Sequence, residues 1–440
     1  MSASVKVGWC GLGAMGSGMV SSLLSQQFSV KAYDIYQPSV DAVVAKGAVA
    51  CADPREAATD VDVLGLMVVN AAQVEAIVTQ VAEVLKKDAS IICFSTVPPT
   101  FLASMQTKLD QVGNGNTLVD APVSGGFIRA ADGQLSIMTA GSDEALKKTA
   151  PVLEALTRSP GQLAVVGTKV GQASDFKLIN QVLCAIHIAA AGEAMALTAN
   201  LGVNPRKLYN ALKDSSFMFG HRVPWQLRDD GLPKSAMTII CKDVGIVMDE
   251  ARLIGFPAPL SSTSEQLFGA ALGSGLAKDD DANVVKLWQK FGGKSVVESG
   301  TIEEEEAAAL AAVGGEEHIE TVSTLLWAIH TVAAAEALAF ARQKNMDLEA
   351  VFNVIGTSAA SSQPLVKFKD ELSYPNDHSP KDGQPSVKEL LSKLDGVLAE
   401  AKRTSTPLFL TQAAYQQLVL ASSKGWGSEG ASVVGRLWTQ

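Results

Sequence analysis

The stretch VKVGWCGLGAMGSGMVSSLLSQQFSVKAYD, residues 5–34, sets the architecture. Residues 5–10 form a short apolar run, expected as a buried parallel strand. Gly11-Leu12-Gly13-Ala14-Met15-Gly16 follows directly. Next come a helical pattern through Met19, Val20, Leu23 and Leu24, and a second strand at 30–33 that ends in Asp34. In such an arrangement Gly11 permits the tight turn, Gly13 lets a pyrophosphate approach the backbone, and Gly16 lets the helix pack on the strand. The helix start offers free N–H groups to phosphate. Asp34, eighteen residues after Gly16, accepts hydrogen bonds from ribose hydroxyls and repels a 2′-phosphate, which favours NAD over NADP. A G-x-G-x-x-G pattern alone carries little weight. Here strand, helix and acid stand where a dinucleotide site needs them.

Strand and helix then alternate to about residue 168. Further strands are expected at 63–68, 90–94, 117–121, 134–140 and 163–166, with helical patterns such as 71–85 between most of them. This alternation predicts a doubly wound parallel sheet, an α/β Rossmann domain over residues 1–168. Ligand-bearing turns should follow the C-terminal strand ends, at Val68-Val69-Asn70, Ser95-Thr96-Val97 and Pro122-Val123-Ser124-Gly125-Gly126. From Gly171 the strand signals stop. A long alanine-rich helix is expected at 175–200, with partners near 205–213, 241–254, 260–271 and 283–291, giving an all-helical domain over 169–298. A helix apolar all round is buried in a large core or against a second subunit. Residues 299–315, SGTIEEEEAAALAAVGG, read as a solvated helical linker.

A repeat follows. AIHIAAAGEAMA (185–196) matches AIHTVAAAEALA (328–339) at eight of twelve positions. The match continues through Glu250-Ala251 with Glu400-Ala401, Pro257 with Pro407, and Leu287-Trp288 with Leu437-Trp438. The helical domain is therefore expected to be duplicated in tandem, with residues 316–440 as a degenerate second copy.

The 440 residues accommodate two or three domains. A net charge of −10 argues against nucleic acid and against anionic membrane surfaces. Five cysteines without CxxC spacing point to reduced, buried thiols, not to disulfides or a metal site. The histidines show no ligand spacing either. The first strand begins by residue 5, which leaves no room for a leader. No apolar run is expected to reach the length needed for a membrane span, and a cytoplasmic location is the default.

Lys177 lies near the start of the long helix, between Phe176 and Leu178, and Asn180 is one turn on, so the two share a face. A lysine on so apolar a helix suits a general base whose pKa is lowered by desolvation and a nearby cation. The repeat supports this. Aligned on His187 and His330, Lys177 faces Glu320 and Asn180 faces Ser323; aligned through the prolines, Lys242 faces Ser392. The second copy keeps packing residues and loses both lysines, which suggests that the lysines serve chemistry. His187 and His330 are expected as hydrogen-bonded core histidines, and Glu193 and Glu336 as buried structural acids. In Asp120-Ala-Pro-Val-Ser-Gly-Gly126 the Ser124 hydroxyl and the following N–H groups suit a carboxylate. Asp279-Asp280-Asp281 reads as a solvated loop or helix start, not a metal site.

Together, GLGAMGSGM, DAPVSGG, FKLINQ and CKDVGIV resemble the motifs of the β-hydroxyacid dehydrogenase family, over about residues 5–295. Within it VVNAAQ, GEAMAL, SFMFGHRVP and FPAPLSSTSEQLF look most like the L-threonate dehydrogenase branch. The resemblance implies NAD-dependent oxidation of a small hydroxy acid, with Lys177 as catalytic acid/base. Ser124, Gly125, Gly126 and Asn180 would contact substrate, with the oxyanion or ketone held by Lys177 and Asn180. Thr96 and Lys242 would lie by the cofactor, and Val68 and Val69 beside its adenosine half. Two departures touch substrate detail: Gly171-Gln172-Ala173 before the lysine, and Asn180-Gln181 where many members carry Asn-Asn. Long 6-phosphogluconate dehydrogenases carry a duplicated helical domain, and short members dimerise through theirs. Residues 316–440 are thus expected to act as a built-in partner, giving a monomer with an internal pseudo-dimer; a homodimer is the alternative. The rival readings are an NADPH-type aldehyde reductase on glyoxylate or succinic semialdehyde, and a non-catalytic NAD-binding scaffold.

Overall fold

The computed structural model describes residues 5–159, 161–228, 235–298, 300–313, 315–373, 380 and 383–438. The chain divides into two compact units, Met1–Leu178 and Ile179–Gln440.

The first unit carries a nine-stranded sheet. Its strands are β1 (Lys6–Cys10), β2 (Ser29–Tyr33), β3 (Val49–Ala50), β4 (Val63–Leu66), β5 (Ser90–Cys93), β6 (Thr117–Asp120), β7 (Val123–Ser124), β8 (Ser136–Ala140) and β9 (Leu163–Gly167). The order is β3-β2-β1-β4-β5-β6-β8-β7, with β9 on β8. From β3 to β6 every pairing is parallel. The expected all-parallel sheet is corrected beyond that point: β8 runs antiparallel to β6 and β7, and only β9 is parallel to it. β7 is too short to show a period-2 signal, and alternation of elements does not report strand direction.

Successive side chains of the central strands feed opposite layers, as a pleated sheet covered on both faces requires. Val7, Trp9, Val63, Ile92 and Phe94 join one buried cluster with Met19 and Leu23 of the helix Ala14–Ser25. Cys10, Leu64, Leu66, Ile91 and Cys93 join the other, with Val74 and Val78 of the helix Ala71–Val81. The strand order reverses between β2 and β4 around β1. That is the topological switch point at which open α/β sheets bind ligands.

The second unit is helical. The rest of the first core helix, Gln172–Leu201, and the second core helix, Glu316–Gln343, are nearly covered. Both are long and apolar enough to cross a membrane, contrary to the expectation that no run is. Their most apolar windows are 100% and 89% buried inside the protein. Contacts between the two halves of this unit come in reciprocal pairs. Glu193 accepts from Leu410 N (2.9 Å), Thr411 N (2.9 Å) and Thr411 Oγ1 (2.6 Å) at the start of the helix Phe409–Ala421. Glu336 accepts from Leu260 N (2.8 Å), Ser261 N (2.9 Å) and Ser261 Oγ (2.5 Å) at the start of Pro259–Gly273. Trp288 Nε1 donates to the Pro407 carbonyl and Trp438 Nε1 to that of Pro257, each at 2.7 Å. Phe217 N donates to Ser361 O (2.9 Å) and Gln363 N to Ser215 O (3.0 Å).

His187 and His330 meet ring to ring, centroids 4.5 Å apart. Both are buried, as expected of core histidines. The expected hydrogen bonds are missing for both nitrogens of His187 and for Nε2 of His330; the two buried rings instead meet edge to face, at 68°. Burial holds both pKa values down, that of His330 to about 3.

Two smaller expectations, on the acidic run and on the cysteines, need correction. Within residues 299–315 the helix Ile302–Ala311, with a Thr301/Glu304 capping box, is largely exposed, and charge pairs lie beside it. Arg206 holds Glu298 (2.5 Å) and reaches Glu306 (3.5 Å). In the acidic run Asp280 caps the following turn, while Asp281 is buried against Arg222 (2.7 Å) instead of solvated. Cys51 and Cys241 are only half-buried, unlike Cys10, Cys93 and Cys184.

Candidate active site

The turn after β1 is braced from beneath. The indole of Trp9, stacked on Phe94 with centroids 5.3 Å apart, donates through Nε1 to the Gly11 carbonyl at 2.9 Å. Gly11 has φ +99°, and its N–H donates to Tyr33 O at 3.0 Å. The three motif glycines do different work. A Cβ built on Gly11 would collide with the Met67 carbonyl, and one on Gly16 with the Gly11 carbonyl. A Cβ on Gly13 would meet nothing within 4 Å. Two glycines are thus needed for packing, and the third leaves the backbone open on its outer side. No side chain caps the N-terminus of Ala14–Ser25.

Asp34 sits just past β2. Its Oδ2 accepts from Leu12 N at 2.5 Å and its Oδ1 from Tyr36 N at 2.8 Å, so the carboxylate is tied to the turn. A dinucleotide fits this set: open backbone for the pyrophosphate, an uncapped helix start, and a fixed carboxylate for the ribose.

At the ends of β4 and β5, Val68 N donates to the buried Ser95 Oγ at 2.8 Å, which ties the two neighbouring turns together. Val69 is exposed, and its N–H donates to Gln73 Oε1 at 2.8 Å. Thr96 is half-buried. Ser124 ends β7, and Gly125 and Gly126 follow with φ of +135° and +73°.

Sequence reasoning passes over Asp120, at the tip of β6. Fully buried, it accepts from Gly171 N (3.1 Å), Ser174 N (2.7 Å) and Ser174 Oγ (2.8 Å), and so pins the start of the first core helix. Burial raises its pKa to about 7 although these bonds pull it down. Its only sequence signal is position, as the acid that opens DAPVSGG. Lys177, three residues beyond Ser174, is buried.

In the helical unit the structure joins Asn180 and Lys242 through intermediates. Lys242 Nζ pairs with Asp243 Oδ1 at 2.9 Å. Asp243 Oδ2 accepts from Gln181 Nε2 at 2.6 Å, and Gln181 Oε1 accepts from Asn180 Nδ2 at 3.0 Å. Asn180 Oδ1 accepts from Ser358 Oγ at 2.8 Å, a contact 178 residues away in sequence. Gln181, the departure noted above, is the link that spans from Asn180 to Asp243. Among the described residues no group of three or more His, Cys, Asp or Glu is placed to hold a metal.

Residues 6–168 match a family profile described as the NAD binding domain of 6-phosphogluconate dehydrogenase. Residues 171–288, and again 316–438, match one described as NAD-binding of NADP-dependent 3-hydroxyisobutyrate dehydrogenase. The chain is 40% identical over 291 residues to an L-threonate dehydrogenase of Cupriavidus necator, covering 65% of this chain and 96% of that protein. It is 37% identical to one of Escherichia coli, covering 64% and 94%. A crystal structure of 3-hydroxyisobutyrate dehydrogenase from Salmonella typhimurium aligns with a TM-score of 0.61 at 35% identity, over 64% of this chain and 100% of its own. Plasmodium falciparum 6-phosphogluconate dehydrogenase aligns with a TM-score of 0.69 over 95% of this chain and 93% of its own; at 13% identity the likeness is one of fold.

Proposed function

The chain belongs to the β-hydroxyacid dehydrogenase family and is an oxidoreductase acting on CH–OH groups, and from that premise we propose NAD-dependent oxidation of a small hydroxy acid, a four-carbon aldonate such as L-threonate. The observation that carries the reading is the buried Lys177 on a helix whose start is fixed by Asp120, the residue that opens the Ser124 turn. The relatives named L-threonate dehydrogenase support the substrate class.

The residues of the Gly11–Gly16 turn would hold the pyrophosphate, and Asp34 the adenosine ribose in preference to a 2′-phosphorylated one. Val68 and Val69 would flank the adenosine half, with Thr96 and Lys242 nearer the nicotinamide. When bound, the nicotinamide supplies the hydride acceptor. Lys177 takes the proton of the hydroxyl being oxidised. Ser124 and the N–H groups of Gly125 and Gly126 hold the substrate carboxylate, and Asn180 contacts the substrate beside Lys177. Asp34 weighs against an NADPH-type aldehyde reductase, and the buried lysine against a scaffold.

We further propose that the two helical stretches arose by tandem duplication and that residues 316–440 serve as a built-in partner, making the protein a monomer. The double profile match and the reciprocal contacts support this. A native mass of twice 46.0 kDa, with the first core helix buried between subunits, would overturn it.

The test of function is NAD reduction followed by absorbance, with L-threonate, D-erythronate, 3-hydroxyisobutyrate and 6-phosphogluconate in parallel. Turnover on one acid is expected, and Lys177→Ala should lower it about 10²–10⁴-fold with NAD affinity unchanged. Tight NAD binding without turnover on any acid would overturn the reading.

A further inference from the structure

Asn180 is almost wholly buried, and its carboxamide is held on both sides. Nδ2 donates to Gln181 Oε1 at 3.0 Å and to Cys184 Sγ at 3.3 Å, which uses both of its hydrogens. Oδ1 accepts from Ser358 Oγ at 2.8 Å. A carboxamide turned by 180° has nearly the same shape, so only its partners decide which end points where. Gln181 and Cys184 lie on the same helix as Asn180. Ser358 comes from the second half of the helical unit, just after the helix Leu348–Ile355. Its hydroxyl is itself fixed: the single hydrogen lies between Asn180 Oδ1 (2.8 Å) and Ile355 O (3.0 Å), nearer the former acceptor, and the oxygen accepts from Ala360 N at 3.1 Å. Ser361 and Gln363, a few residues on, are tied to Phe217 and Ser215 of the first half.

We propose that Ser358 is a positioning residue: it sets the orientation of the Asn180 carboxamide, and thereby makes Asn180 an acceptor toward the substrate. This rests on the reading that Asn180 contacts the substrate. With both Nδ2 hydrogens spent inside the protein, the capacity left on Asn180 is the second lone pair of Oδ1. That lone pair can receive an O–H; it cannot donate to a ketone or an oxyanion. The expectation that Asn180 shares the oxyanion with Lys177 is replaced by one in which it reads a hydroxyl of the substrate. The substrate class that rewards such an acceptor is a polyhydroxy acid, with a hydroxyl beside the one being oxidised. 3-Hydroxyisobutyrate has no second hydroxyl to offer.

The experiment compares the wild type, Ser358→Ala and Ser358→Thr in the full-length chain. It measures kcat and KM for L-threonate and for 3-hydroxyisobutyrate, the NADH dissociation constant by fluorescence, and the melting temperature. Ser358→Ala should lose about tenfold in kcat/KM on L-threonate, the scale of one hydrogen bond, and much less on 3-hydroxyisobutyrate, so the ratio between the two acids collapses. NADH affinity should not change, and Ser358→Thr, which keeps the hydroxyl, should restore the ratio. If the wild type turns over and Ser358→Ala matches it, or if the alanine and threonine variants fail alike, the positioning role falls while the proposed function stands. If the wild type oxidises no hydroxy acid while binding NADH, the proposed function falls and this inference with it.

Discussion

The indole of Trp288 donates to the carbonyl of Pro407 across the two halves of the helical unit, at 2.7 Å. Trp438 and Pro257 return the same bond at the same length. The carboxylates of Glu193 and Glu336 repeat the pattern, each capping a helix of the other half. Their removal should be costly, because each leaves three buried donors without an acceptor. Glu193→Ala and Glu336→Ala should each lower unfolding free energy by about 2–4 kcal/mol in urea titration. A change in only one of the two would mean that the reciprocity has no energetic counterpart.

The same unit should respond to pH in two directions. Burial raises the pKa of Glu193 and of Glu336 from 4.5 to about 7, the capping hydrogen bonds opposing it. The unfolded chain binds fewer protons than the folded one in that window. Their contribution is therefore full below pH 4.5 and is lost as pH rises through about 7. His330 moves the other way, from 6.5 to about 3, so its contribution is present above pH 6.5 and lost as pH falls toward 3. Melting temperature against pH should show both flanks. His330→Leu should flatten the acidic flank, and Glu193→Gln the one that falls as pH rises toward 7. An acidic flank unchanged in the leucine variant would remove the histidine pair as its cause.

Gly13 and Gly16 should separate binding from folding. Gly13→Ala places a methyl group in open space, so the melting temperature should hold while the NAD dissociation constant rises at least about tenfold. Gly16→Ala drives a methyl group into the Gly11 carbonyl, so stability should fall by about 1–3 kcal/mol. Calorimetric binding and thermal melts on the two variants decide this. Equal NAD affinity in Gly13→Ala would show that the turn does not carry the pyrophosphate.

Asp34 has two tasks, and one substitution separates them. Asp34→Asn keeps an oxygen for Leu12 N and removes the charge that repels a 2′-phosphate. The NADP-to-NAD ratio of kcat/KM should rise about tenfold with little loss of stability. Asp34→Ala should also loosen the turn. An unchanged ratio in the asparagine variant would place cofactor choice elsewhere.

Much of the fold is legible because its signals are local. The strand, turn and helix over residues 5–34 each carry their own pattern, and the second strand, expected at 30–33, is Ser29–Tyr33. The two core helices announce themselves by composition. The helix Phe217–Arg228 is hidden by Pro224 inside it. β3 and β7 have two residues each, below any periodicity. The candidate site is legible where it rests on a motif and silent where it rests on tertiary contact. Asp120 reaches Ser174 across 54 residues and Ser358 reaches Asn180 across 178, and no spacing rule joins such pairs.

The reciprocal bonds have one more consequence. In an assembly of two identical chains a substitution enters at both ends of every paired contact, since one codon specifies both. Here Glu193 and Glu336, Pro257 and Pro407, and Trp288 and Trp438 are written separately. Each side of the lock can change while the other stays fixed, so Ser358 can hold Asn180 without a matching contact elsewhere having to change with it.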